Sequence, residues 1–217
     1  MIVACAALLG AMLTLSAQPV IGERDRQRAA ELVSKMTLEE KCALVGGIDD
    51  GFHTFPVERL GIPSVRMADG PQGVRNDTRS TYYPCGMAVA ASWNRRIAYG
   101  VGEGIGCDAK ARGVGVMLCP GVNIYRSALC GRNFEYYGED PYLASRMIEN
   151  YVVGLQNQGV MATLKHYLCN NNEHNRRIMN AEVDERTIHE IYLPAFKAGV
   201  DAGALGVMTS YNKIDGI

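Results

Sequence analysis

Four short apolar runs, set between glycines or prolines and separated by helix-patterned stretches, constrain this 217-residue chain more than any other feature. They occupy residues 62–67, 114–119, 160–165 and 205–211. Runs of this length are strand-sized, and near-continuous apolarity marks strands that are covered on both faces. A helical stretch precedes each of the last three. Asn94 caps a helix running to about Arg112, Asp140-Pro141 opens one reaching about Gln158, and Asp184 opens one reaching Ala202, where Pro194 predicts a kink. Strands alternating with helices in this way predict an α/β fold built on a parallel sheet with right-handed crossovers. Four strands cannot close an eight-stranded barrel, so if the fold is a TIM-type (β/α)8 barrel and not an open sheet, this chain holds its amino-terminal portion only.

Two further helices lie ahead of the first strand. Residues 24–35 place Ala29, Leu32 and Val33 on one face, and Thr37 with Glu40 forms a capping box for a helix that ends at Gly46-Gly47. Glycines at 100, 102, 104 and 106 recur every second residue and do not satisfy a dinucleotide-binding fingerprint. The loop 122–140 is far longer than an ordinary connection, which points to function.

In open sheets and barrels alike, ligands sit beyond the carboxyl ends of the strands, and there the polar residues cluster: Asp69, Arg132, Lys165, His166 and Tyr211. One carboxylate, several cations, an imidazole and a phenol suit a ligand rich in hydroxyls, because each hydroxyl both donates and accepts. Spacing alone leaves Lys165-His166 open between a binding wall and a solvated strand end. Glu135, Glu139 and Glu173 read as partners of Arg126, Arg132 or Arg176 rather than as catalytic acids. Asn170, Asn171 and Asn172 read as loop-ordering groups that bond backbone. His53, His174 and His189 read as structural or surface residues. His166, Glu173 and His174 lie close in sequence without a metal-ligand spacing, so no metal and no cofactor are expected.

A net charge of -1 with interspersed signs provides no basic stripe for a nucleic-acid partner. Residues 1–17 form an apolar run ending in Leu15-Ser16-Ala17, which predicts a signal peptide cleaved after Ala17 and an exported protein, periplasmic or extracellular. A lipid anchor at Cys5 is the weaker alternative, since the apolar residues after it fit that role poorly. Six of the seven cysteines remain after cleavage, and they read as buried free thiols.

Several strings together closely resemble glycoside hydrolase family 3, of the β-glucosidase and β-xylosidase type. These are Asp69-Gly70-Pro71-Gln72-Gly73-Val74-Arg75, Gly131-Arg132-Asn133-Phe134-Glu135 with Gly138-Glu139-Asp140-Pro141, Lys165-His166 through Asn172-Glu173 to Arg176, and Ser210-Tyr211-Asn212. The resemblance covers nearly all of residues 18–217. It implies an amino-terminal barrel domain and a retaining glycoside hydrolase that removes terminal non-reducing β-D-glucosyl or β-D-xylosyl residues from an oligosaccharide or β-glycoside. Asp69, Arg132, Lys165, His166, Arg176 and Tyr211 would then bind the sugar ring, with Asp69 accepting from its hydroxyls and His166 and the cations donating.

The Asn-rich sequence after Lys165-His166 stands where the family's N-acetylglucosaminidases carry a different string. The family's nucleophile, an Asp in a Ser-Asp-Trp type string, has no match here: the only tryptophan is Trp93, between Ser92 and Asn94. Both catalytic carboxylates are therefore expected beyond Ile217. A truncated, non-catalytic carbohydrate-binding protein is the alternative from another class, and a barrel enzyme acting on a phosphate ligand is a third.

Overall fold

The computed structural model describes residues 21–48, 51–75 and 78–217. Helices α1 (Glu23–Lys35) and α2 (Leu38–Gly46) lead the chain. Strand β1 (Arg66–Asp69) follows, then α3 (Gly86–Ala91), α4 (Arg95–Ala111), β2 (Val114–Leu118), α5 (Pro141–Gln156) and β3 (Met161–Tyr167). After a loop come β4 (Asn180–Ala181), α6 (Glu185–Thr187), α7 (Leu193–Asp201), β5 (Gly206–Thr209) and β6 (Lys213–Ile214). The signal-peptide and Cys5 expectations fall outside the described residues.

Strands β1, β2, β3 and β5 form one sheet in that order, every neighbour parallel, and it does not close. This is the open β/α arrangement expected of the first part of a barrel. Beyond the end of β2 the ladder continues through the main chain, with Thr163 N donating to Cys119 O at 2.9 Å and Lys165 N to Pro120 O at 3.1 Å. The strand ends are thereby held side by side where the polar residues begin. Strands β4 and β6, absent from the sequence reading, form a two-residue parallel ladder of their own.

Helices α4 and α5 cover the sheet. In α4 the buried positions Ala98, Val101, Gly102, Ile105, Gly106 and Ala109 follow the three-and-four spacing of a helix face. Two glycines set the distance between the helices. A Cβ on Gly102 would stand 2.2 Å from Tyr151 O, and one on Gly154 2.2 Å from Tyr99 O, so the backbones approach more closely than any side chain permits. Part of the glycine series in α4 is thus a packing device.

The expected caps are present: Glu40 N to Thr37 Oγ1 at 3.2 Å, Arg96 N to Asn94 Oδ1 at 3.0 Å, Tyr142 N to Asp140 Oδ1 at 2.7 Å and Thr187 N to Asp184 Oδ1 at 3.0 Å.

Four expectations need correction. The first strand begins at Arg66 and not at Ile62, because Val57 and Ile62 pair across a tight turn and Pro63 has no N–H for a ladder. The apolar face of α1 is not buried: Val33 is 48% exposed, and no residue of α1 or α2 is buried among the described residues. The last long helix is interrupted rather than merely kinked. Residues Ile188–Tyr192 form a π turn ahead of Pro194, in which Leu193 N donates to Ile188 O five residues back. The six cysteines of the described residues are free, but only Cys119, Cys130 and Cys169 are buried.

Candidate functional site

A cavity of about 650 Å³ opens at the carboxyl ends of the strands. All six residues singled out from the sequence, Asp69, Arg132, Lys165, His166, Arg176 and Tyr211, line it. They arrive from separate elements. Asp69 is the last residue of β1, Arg132 precedes the turn Asn133–Glu135 in the long loop, Lys165 and His166 lie on β3, Arg176 is in the loop after β3, and Tyr211 follows β5.

Lys165 and His166 are each 1% exposed, which rules out a solvated strand end. Successive residues of a regular strand face opposite sides. Here both reach the cavity, because the register with β5 slips between Lys165 and Tyr167: Lys165 faces Met208 and Tyr167 faces Thr209, leaving His166 as an extra residue.

Lys165 Nζ is the electrostatic centre. It lies 2.5 Å from Asp69 Oδ1 and 3.4 Å from Glu135 Oε2. Asp69 Oδ2 also meets Arg75, and Glu135 Oε1 meets Arg132 Nε. Further along the wall, Arg176 Nη1 contacts Glu173 Oε2 at 2.7 Å, and its guanidinium stacks 4.0 Å from the centre of the Tyr211 ring. Counting Arg75, Arg132, Lys165 and Arg176 against Asp69, Glu135 and Glu173 gives four cations to three carboxylates, nearly balanced and mutually paired.

Burial acts to raise the Asp69 carboxyl, but Lys165 and then Arg75 outweigh it and hold the group below its ordinary range, so Asp69 is an ionised acceptor. His166 moves the other way. Burial, reinforced by the positive charge of Arg132 and Lys165, depresses the imidazole to about 2, so the ring is neutral. Gly70, the residue after Asp69, adopts φ +137°, and a Cβ there would stand 1.6 Å from Gly73 O. Only glycine turns the chain away from β1 at this point.

Glu135 and Glu173 form the expected ion pairs with Arg132 and Arg176, yet both also line the cavity, which the loop reading did not anticipate. Glu135 is 1% exposed. The exposed Glu139 is not among the cavity residues. Arg75 and Phe134 are cavity residues that the residue-level reading passed over, although both stand inside motif strings. The asparagine expectation holds for Asn172, whose Oδ1 accepts from His174 N, but not for its neighbours. Asn170 is fully buried and donates to Tyr136 Oη and Glu173, while Asn171 donates to Tyr192 Oη at 2.8 Å. Among the described residues no group of three or more His, Cys, Asp or Glu converges as a metal site.

Sheet and cavity together define an α/β-barrel type of protein with a charge-balanced, hydrogen-bonding site at the carboxyl ends of its strands. The family model for the glycosyl hydrolase family 3 N terminal domain matches residues 30–217, and the chain belongs to that family.

Among characterised relatives, thermostable beta-glucosidase B of Acetivibrio thermocellus is 45% identical over 199 residues, covering 86% of this chain and 26% of the relative. A beta-glucosidase of Rhizobium radiobacter is 44% identical over 193 residues, covering 86% and 24%. The structure of beta-glucosidase 3B from Thermotoga neapolitana in complex with glucose superimposes with a TM-score of 0.83 at 40% identity, over 87% of this chain and 30% of that one. The chain thus spans about a quarter to a third of the length of these proteins.

Proposed function

We propose that the cavity holds the terminal non-reducing β-D-glucosyl or β-D-xylosyl unit of an oligosaccharide or β-glycoside, and that the chain serves a retaining β-glycosidase. The observation that carries this reading is the convergence of an ionised acceptor, Asp69, with Lys165, Arg132, Arg176 and the neutral ring of His166 around one small-ligand space. Its volume lies in the usual range for small-molecule sites. Identity of 45% to a beta-glucosidase, and a neighbour solved with glucose, support the same ligand class. A phosphate ligand fits less well, since the cavity's cations are already met by carboxylates.

Hydrolysis by double displacement requires two carboxyl groups about 5–5.5 Å apart, one nucleophile and one acid/base. Asp69 and Glu135 are both held in ion pairs with Lys165 and suit binding rather than attack. That the catalytic pair lies beyond Ile217 is part of this proposal. Export after cleavage of residues 1–17 belongs to the same proposal, and sequencing the amino terminus of the mature protein from fractionated cells checks it.

The decisive experiment follows an aryl β-glucoside with the full-length protein and with the 217-residue chain. Hydrolysis with retained anomeric configuration by the former, and none by the latter, is expected. Turnover with a burst by the chain alone overturns the placement of the nucleophile. Sugar binding without hydrolysis by the full-length protein establishes the non-catalytic alternative instead.

A further inference from the structure

His166 is the cavity group whose hydrogen-bonding character depends on the position of a single proton. A neutral imidazole carries one N–H and one bare nitrogen, and the partner of either decides the other. Nδ1 of His166 lies 3.0 Å from Tyr136 Oη. A phenol both donates and accepts, so this contact by itself leaves the tautomer open. The next partner decides it. Asn170 Nδ2 stands 3.2 Å from Tyr136 Oη and 3.1 Å from Glu173 Oε1.

Glu173, paired with Arg176, only accepts, so the amide must turn its NH2 side toward it. The opposite orientation would press the amide oxygen against a carboxylate. With that NH2 also donating to the phenol oxygen, the hydrogen of Tyr136 is free for His166 Nδ1. That orientation leaves the amide oxygen itself, Asn170 Oδ1, buried without a partner, a cost set against its two donor contacts. Asn123 fixes the frame: its Nδ2 donates to His166 O at 3.0 Å and its Oδ1 accepts from Asn170 N at 3.3 Å.

We infer that Asn170 and Tyr136 are positioning residues that hold His166 as its Nε2–H tautomer, presenting the cavity with one fixed N–H donor for a ligand hydroxyl. Neither residue lines the cavity: Tyr136 acts through the ring, and Asn170 acts on the ring through Tyr136 while also bonding Glu173. The inference rests on the sugar-binding reading for its purpose but not for its geometry. It gives the site a division of labour in which Asp69 accepts and His166 donates, at positions on β1 and β3, one strand apart in the sheet, that ligand binding need not reorganise. The depressed basicity of the ring keeps the same form in place across the working pH range.

The test uses full-length protein labelled with 15N-histidine, in which the ring nitrogen signals of His166 report which atom carries the proton. Nε2–H with a bare Nδ1 is expected in the wild type. Tyr136→Phe keeps the ring and removes only the hydroxyl; it is expected to produce a mixture of tautomers and to weaken glucose binding about three- to tenfold, the scale of one hydrogen bond. Asn170→Ala leaves the phenol in place and is expected to shift the tautomer in the same direction. Nδ1–H in the wild type, or an unchanged tautomer in both variants, overturns the inference. Tautomers as expected with no glucose binding by the wild type support the relay and sink the sugar reading instead.

Discussion

The helix layer and the cavity wall are both buried, and they are held together in opposite ways. Between α4 and α5 the contact is apolar and steric, set by glycines that let one backbone touch the other. At the carboxyl ends of the strands, charge and hydrogen bonds do the holding, with Lys165 between two carboxylates and His166 in an amide and phenol network. Packing tolerates the loss of a methyl group with a local cost. A buried ion network does not divide in this way, because removing one member leaves an uncompensated charge.

Lys165→Met is therefore expected to have the largest effect. It removes the cation shared by Asp69 and Glu135, leaving each with one arginine, Arg75 and Arg132, and should destabilise the protein by about 3–5 kcal/mol, the range for breaking a buried pair. Urea unfolding measures this, and a loss below 1 kcal/mol would mean the wall is no more interdependent than the helix layer.

Acid probes the same wall. His166 has a folded-state pKa far below its unfolded one, so its contribution is complete above about pH 6.5 and falls as the pH drops below that value. Asp69 adds a second loss at lower pH, since its carboxyl is also held below its ordinary range. His166→Gln should flatten the stability profile between roughly pH 6.5 and 4 and leave the lower limb in place. An unaltered profile in the variant would show that the ring is not the group titrating.

The helix layer answers to volume instead. Gly102→Val drives a side chain into the Tyr151 carbonyl and is expected to cost about 1–3 kcal/mol with no change in the pH profile. Smallest in the series is Asp140→Ala, which removes the acceptor for Tyr142 N and Leu143 N; a loss of about 1 kcal/mol in the same unfolding assay is expected.

Much of this contrast is readable before any coordinates. Caps at Asn94, Asp140 and Asp184 declare their helices through side chains that bond the next few residues, an interaction local in sequence. The parallel strands follow from unbroken apolar runs, and the six cavity residues from strings at their ends. Asn170 was legible only as a loop residue, because Glu173 is a local partner three positions on, while Tyr136, the partner that ties it to the site, lies 34 residues away where no spacing rule reaches. Glu135 read as half of a local pair with Arg132; its second partner, Lys165, is thirty residues away in sequence. The apolar face of α1 shows the converse, a helical pattern none of whose residues is buried among the described residues.

Residue type and periodicity alone determined that this chain builds β/α units with polar groups at the strand ends, because strands, helices and caps depend on neighbours a few positions away. Tertiary structure alone decided that Lys165 and His166 face the same way, that one lysine ties two distant carboxylates together, and that a buried asparagine and tyrosine govern the proton on His166. Each of these depends on strand register or on contacts between remote segments, which only the folded chain brings within a few ångströms.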